Sequence, residues 1–386
     1  MKPDMPWAVV LAAKRAIRDA QVQKHAPANS DPRSDTLGAN IVDVEALTSL
    51  LSCEKVSAEE LIRAYIGRAR EAQKKSGRMS YRGVMVSLDG QQHVPSAVGP
   101  MARFLSSLIL VTKLVISTAP WTIDPQLPPI PWREDVFQDL TTRPLVIGSM
   151  LDDGVVKVHP SIERVFCELV ARLKAVGHEV VEWDSNLNSK CIDIMVRPPA
   201  PKPELLLDSI KRLTRTGQDE YYAAEGGEDI RRAVAAGGEP FIPQIEALVN
   251  RGGPISVYEY WELSKRKVAS QQVYHDMWDR IRSPSGPPVD VLLMAVTHGS
   301  CRWTGYTKLF NFLDYTALTF PAGQACKDLD EKWPRDHSPR NAHDAWNWGL
   351  YDPSAMDGHS IGLQIVGRRS EEDKVLGAGQ QVQQLL

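Results

Sequence analysis

RPLVIGSMLDDGVVKVHPSIERVFCELVARLKAVGHEVVEW, residues 143–183, changes its hydrophobic period twice. RPLVIGSM (143–150) is an apolar run of strand length. From Pro160 onward, Ile162, Val165, Phe166, Leu169, Val170, Leu173 and Val176 recur at helical spacing. Proline suits the first helical position because its missing N–H is one the first turn leaves unbonded anyway. Gly177 stops the helix, and HEVVEW (178–183) resumes an extended pattern. Strand, crossover helix and strand in this order make a parallel βαβ unit, so the class is α/β.

Downstream, residues 256–282 read as one long helix, VDVLLMAV (289–296) and GLQIVG (362–367) as buried strands, and the tail EEDKVLGAGQQVQQLL as a closing helix. Upstream, residues 7–23 read as an amphipathic helix, followed by the polar linker 25–40. Val44, Leu47, Leu50 and Leu51 have helical spacing, and Ser57-Ala-Glu-Glu60 is a capping box that starts a helix running to about Gln73. TAPWTIDPQLPPIPWRED (118–135) carries five prolines and two tryptophans and reads as an extended strap. PPAPKP (198–203) and SPSGPP (283–288) read as turns or linkers.

The chain has 386 residues, 45 Lys+Arg against 48 Asp+Glu and a formal net charge of −3. With no sustained run of either sign, nucleic acid and an anionic membrane are not expected as partners; a small neutral molecule fits better. Five scattered cysteines without a CxxC pair speak against a zinc site or disulfide framework and for a reduced, cytoplasmic setting. No apolar run is expected to approach the roughly 20 residues of a membrane span.

Candidate chemistry is sparse. His298 and Cys301 in HGSC lie so close in one loop that hydrogen-bonding geometry between them is hard to reach, and a plain loop is the simpler reading. Ser87 and Asp89 in GVMVSLDGQ (83–91) alternate with Val84, Val86 and Leu88, as in a half-buried strand ending in a turn. GGED (226–229) and GGEP (237–240) are read as turns without the following helix that a phosphate-cradling loop requires. The aromatic set Trp303, Tyr306, Phe310, Phe312 and Tyr315 around Asn311 and Asp314 fits either core packing or a pocket wall.

Four stretches taken together are more specific: SGRMSYRGVMVSLDGQQHVPSAVGPMARFLSSL (76–108), PWTIDPQLPPIPWR (120–133), DVLLMAVTHGSCRWTGYTKLFNFLDYTALTFPAG (290–323) and WNWGLYDPSAMDGHSIGLQIVGRRSEEDKVL (346–376). In order and content they resemble the fungal acetamidase-like branch of the amidase signature family. The AAKR (12–15) and VDVEALTSLLSCEKVSAEELIRAYIGRA (42–69) segments are similar to the lead-in of the same enzymes. The resemblance implies a mixed-sheet amidase-signature-type fold with a helical N-terminal portion, and hydrolysis of a carboxamide C–N bond without metal or cofactor. It implies a serine nucleophile, a second serine in a cis peptide and a lysine that together move the proton, with glycine-loop N–H groups holding the oxyanion.

Those groups are carried by a PVSLKD-like strand, a GGSSGG run and a GGSIR-like run, and this chain has none of the three. VSLDG (86–90) has Asp89 where a lysine would be needed, and matches instead the VSxDGQxHVP segment beyond the catalytic stretch. The expectation is an internal deletion near 73–77 within EAQKKSGRMSYRG (71–83). It divides a helical lead-in, 1–75, from the remnant of the α/β domain, 76–386, truncated in its central sheet. No catalytic residue carries over. Trp303, Tyr306, Thr307 and Phe310 carry over as substrate-binding candidates, because the matching stretch lines the acyl pocket in relatives. Lineage thus points to an amidase inactive as written, and the alternative is a pseudoenzyme that binds. The expected partners are a small amide ligand and a homo-oligomer or an intact homologue, since the lost strands should leave unpaired edges and bare apolar faces.

Overall fold

The computed structural model describes Val9, Ala16 and residues 99–124, 127–195, 221, 224–238, 240–241, 245–246, 249, 253–296, 305–330 and 338–386. Val9 and Ala16 are helical, as expected for 7–23. The helices expected at 43–51 and 57–73, the 73–77 junction, the strand at 83–91, the 198–203 linker, His298, Cys301 and Trp303 lie outside the described residues.

By contacts the chain forms two units: residues 1–90, 96–127 and 225–253, and residues 91–95, 128–224 and 254–386. The second unit holds a five-stranded mixed sheet in the order β2-β1-β3-β5-β4. The strands are β1 (Val146–Met150), β2 (Glu179–Glu182), β3 (Val291–Ala295), β4 (Thr316–Gln324) and β5 (Ser360–Gly367). β2, β1 and β3 run parallel, with Ile147 opposite Val180 on one side and Val291 on the other. β5 is antiparallel to β3 and β4. All five β3 residues are buried, which is why VLLMA shows no alternation and marks the centre of the sheet.

The βαβ unit forms as its periodicity requires. Helix α3 (Pro160–Ala175) begins on Pro160 and buries Ile162, Val165, Phe166, Leu169 and Leu173. Each such apolar side chain contributes roughly 1.5–3 kcal/mol on burial. Val170 sits at the flank of that face and Val176, past the helix end, is exposed. Gly177, at φ 97°, turns the chain, and the His178 N–H donates back to the Leu173 carbonyl at 3.1 Å, closing the C-terminus in the manner that favours glycine. Register is locked at the strand starts. Asp290 accepts from the Val146 N–H at 2.9 Å, and both its oxygens pair with the Arg143 guanidinium at 2.9 and 2.7 Å.

Helix α2 (Glu134–Thr142) and the C-terminal helix α10 (Glu372–Gln383), which follows the single-turn α9 (Pro353–Met356), pack together, with Gly377 allowing close approach to the Phe137 carbonyl. Gln381 Nε2 donates to the Leu140 and Arg143 carbonyls at 2.6 and 2.9 Å, closing the end of α2. The Arg133–Asp373 pair ties the opposite end with hydrogen bonds of 2.5 and 2.7 Å. The expected long helix is α6 (Val257–Arg280), opened by a Ser256/Glu259 capping box. Between β2 and α6, the structure places α4 (Asn186–Met195) and, in the first unit, α5 (Glu228–Gly237).

Two expectations need correction. GGED is followed by a helix: Gly227, at φ 83°, is the N-cap of α5, and Gly238 caps the other end. It still makes a poor phosphate cradle, because the Glu225 carboxylate takes the N–H groups of Glu228 and Asp229, and Glu228 and Asp229 add negative charge to the first turn. The second concerns apolar length. Leu105–Thr122 is, by length and composition alone, apolar enough to cross a membrane despite Lys113, at mean hydropathy 1.3. Its helical part, α1 (Leu105–Ser117), is 13 residues, about 20 Å, shorter than the ~30 Å hydrocarbon layer. Beyond it, the strap holds one 3₁₀ turn, Pro120–Thr122, before α2 begins.

Among the described residues β4 is an edge strand, and its Pro321 and the register shift at Pro321/Gly323 sit where a proline is tolerated in a sheet.

Candidate functional site

Of the substrate-binding residues expected from sequence, Tyr306, Thr307 and Phe310 fall on α7 (Gly305–Leu313), the next described element after β3, and Trp303 lies outside the described residues. The apolar spacing of α7 turns Tyr306, Leu309, Phe310, Phe312 and Leu313 into the core. Phe310 stacks on Tyr315 at a centroid distance of 6.3 Å. Thr307 is half-buried on the same helix. Tyr306 is buried, and its hydroxyl donates to the Val156 carbonyl at 2.7 Å. The Asp153 N–H approaches the Tyr306 hydroxyl oxygen at 3.5 Å. Burial, reinforced by the nearby Asp153 and Asp152 carboxylates, raises the Tyr306 pKa well above that of an ordinary phenol, so it stays a donor. Its backbone carbonyl accepts from Gln364 Nε2 of β5 at 3.0 Å, joining α7 to the sheet.

Tyr306 thereby meets the 151–159 loop, at the carboxyl end of β1, where open α/β sheets place their ligand crevices. This loop is clamped from several directions. Asp153, fully buried, accepts from the N–H groups of Val155 and Val156 at 2.8 Å each. Asp152 holds Arg340 in a bidentate pair at 2.7 Å per bond. Helix α8 (Ala342–Gly349) supplies Asp344, which accepts from the N–H groups of Lys157 at 2.8 Å and Arg340 at 3.0 Å. Asn347 Nδ2 donates to the Lys157 carbonyl at 2.9 Å, and Asn341 Nδ2 to the Val155 carbonyl at 2.7 Å. His159 Nε2 lies 2.9 Å from the Asn347 carbonyl, and because a carbonyl only accepts, that nitrogen carries the proton.

Beside this loop a cleft of about 390 Å³ opens at the carboxyl ends of β1 and β2 against α3. Ser149, Asp152, Glu182 and Ser185 give it polar groups, and Phe166 and Trp183 an apolar wall. Cys167 also faces the cleft, but burial and the neighbouring Glu163 raise its pKa, holding it as the neutral thiol and not the nucleophilic thiolate. Neither the cleft nor the clamp was legible in the sequence. Asp344 and Lys157 lie 187 residues apart, and no local pattern links them. Among the described residues no group of three or more His, Cys, Asp or Glu side chains is placed to hold a metal ion.

Comparison with known proteins supplies the context. Residues 75–376 match the family model described as Amidase. The chain is 57% identical over 317 residues to "Amidase 1" of Gibberella moniliformis, covering 81% of this chain and 56% of the relative. It is 30% identical over 321 residues to "Acetamidase" of Aspergillus oryzae, covering 80% of this chain and 54% of the relative. Among solved structures it resembles "Fatty acid amide hydrolase", with a TM-score of 0.63 and 25% identity over 80% of this chain and 51% of that chain. The chain therefore spans about half the length of the curated relatives it matches.

Proposed function

Since this chain belongs to the amidase family, we propose that it is an amide-binding protein of amide-hydrolase lineage that does not itself cleave the C–N bond. The carrying observation is one of sequence: no GGSS or GSIR run occurs anywhere, and VSLDG (86–90) offers no lysine. Loss of a serine nucleophile together with its base forfeits several orders of magnitude in rate. The surrounding frame supports retained binding. α7 is fixed to the sheet through Tyr306 and Gln364, so Thr307 and Phe310, with Trp303 just before the helix, remain the candidates for contacting the acyl group of a small carboxamide.

The test is ammonia release from acetamide and a panel of longer carboxamides by the purified chain, alongside labelling with a serine- and cysteine-directed acyl-enzyme probe. No turnover and no stoichiometric labelling, with amide binding measurable by calorimetry and weakened by Thr307→Ala, is the expected result. Stoichiometric labelling with ammonia release overturns it.

A second reading is favoured by length. The relatives are about twice as long as the matched stretch, so the natural product can be an ordinary hydrolase with a segment between Gln73 and Gly77. Sequencing the mature transcript across that junction decides between the two. An in-frame insertion carrying a lysine and paired serines establishes the hydrolase.

A further inference from the structure

The cleft between β1, β2 and α3 lies apart from the acyl-contacting candidates: none of its described lining residues belongs to α7. Ser149 and Glu182 are register partners in the parallel β1–β2 pair, so their side chains stand side by side on one face of the sheet. Gly148 turns toward Trp183. Ser149, one position on, turns the other way, to the side where α3 brings Phe166, Cys167 and Val170. Ser185, just past β2, adds a second hydroxyl next to Gly154 of the 151–159 loop.

Charge narrows what the cleft accepts. Both Asp152 oxygens are engaged by Arg340 at 2.7 Å each. The Glu182 carboxylate, exposed at the end of β2, has no partner among the described residues, and neither has the Ser149 or Ser185 hydroxyl. No lysine, arginine or histidine lines the cleft among those residues. One uncompensated negative charge therefore borders a cavity that also offers two open hydroxyls, with Phe166, Val170 and Trp183 as its apolar wall. An ionised carboxylate only accepts, a hydroxyl accepts as well as donates, and an ammonium group brings three donors and no acceptor. An anion would be repelled, and a neutral ligand would gain nothing from the charge. A calcium or magnesium ion asks for about six oxygen ligands or more, beyond what this lining supplies. At about 390 Å³ the cleft has the size of a small-molecule pocket, apolar with a few placed polar groups. We propose that it binds a primary amine, as the ammonium ion, carrying a compact apolar group. The head sits on Glu182, Ser149 and Ser185, and the tail on the aromatic wall. This site is separate from the amide-contacting candidates and stands whether or not the chain hydrolyses amides.

The probe is phenethylamine, titrated into the full chain and followed by ligand-observed NMR, with phenethyl alcohol and hydrocinnamate as neutral and anionic controls bearing the same ring. A dissociation constant on the order of 1 mM is expected for the amine, with the alcohol and the acid at least about fivefold weaker. Glu182→Gln keeps the size of the side chain, removes its charge and brings the amine down to the level of the alcohol. Cys167 reports the place of binding, because it is an exposed thiol at the cleft. Its reaction with methyl methanethiosulfonate, read from the mass of its peptide, should slow in the presence of the amine and not of the alcohol. No detectable amine binding, or an amine that binds no better than the alcohol, overturns the proposal. So does binding indifferent to Glu182→Gln, binding that leaves Cys167 unprotected, or full displacement of the amine by phenylacetamide, which would make this the amide site instead.

Discussion

Tyr306 joins helix α7 to a loop 150 residues upstream through one buried hydroxyl. Tyr306→Phe keeps the ring and removes the donor, leaving the Val156 carbonyl buried and unbonded. A loss of about 1–3 kcal/mol is expected, read as a lower denaturant midpoint with unchanged slope. His178 carries a different liability. Its Nδ1 accepts from the Leu145 N–H at 3.0 Å, which demands the unprotonated nitrogen, and burial lowers its pKa from the ordinary 6.5. The unfolded chain takes up this proton as pH falls through about 6.5, while the folded chain resists until lower pH. Stability from this group is therefore full above about pH 6.5 and declines below it. His178→Gln, whose carbonyl oxygen can accept the same bond without titrating, should flatten that part of the pH profile between about 7 and 5, as measured by urea unfolding of both proteins.

At the scale of elements, the βαβ unit depends on Gly148. A Cβ there would lie 2.7 Å from Trp183 Cε3 and 3.2 Å from Leu292 Cδ1, so the indole packs against bare backbone. Gly148→Val should cost about 1–3 kcal/mol through overpacking, visible as a lower melting temperature and altered tryptophan fluorescence. Ser256→Ala should cost α6 about 0.5–2 kcal/mol by removing the cap on the Glu259 N–H, measured by chemical denaturation. β1, α3, β3, β5 and α10 were readable because each buries one continuous stripe or run, and burial is what hydrophobic period records. β4 was not, because TALTFPAGQ at the sheet edge is only partly buried and contains Pro321, both of which blur an alternating pattern. The 151–159 loop was equally opaque: its shape is held by Asp344, Asn347, Tyr306 and Arg340, brought to it by the tertiary fold. The family resemblance put Tyr306 forward as a substrate-facing residue, but not that its hydroxyl donates to a backbone carbonyl.

For the molecule as a whole, the sheet is finished by its last residues. Removing 368–386 strips α10 from α2 and with it the Arg133–Asp373 and Gln381 bonds. Such a truncated chain should fail to give a soluble product with a cooperative unfolding transition, as checked by calorimetry beside the full chain. The clamp on the 151–159 loop carries the same dependence into time. Lys157 must wait for Asp344, 187 residues later, and β1 must wait for β3 before its second edge is paired. At 5–20 residues per second, a ribosome needs about 10 to 40 seconds to deliver that partner. Throughout that interval the nascent β1–α3–β2 segment holds part of a core whose closing strand is still to be made, so its apolar side stays open to solvent longest.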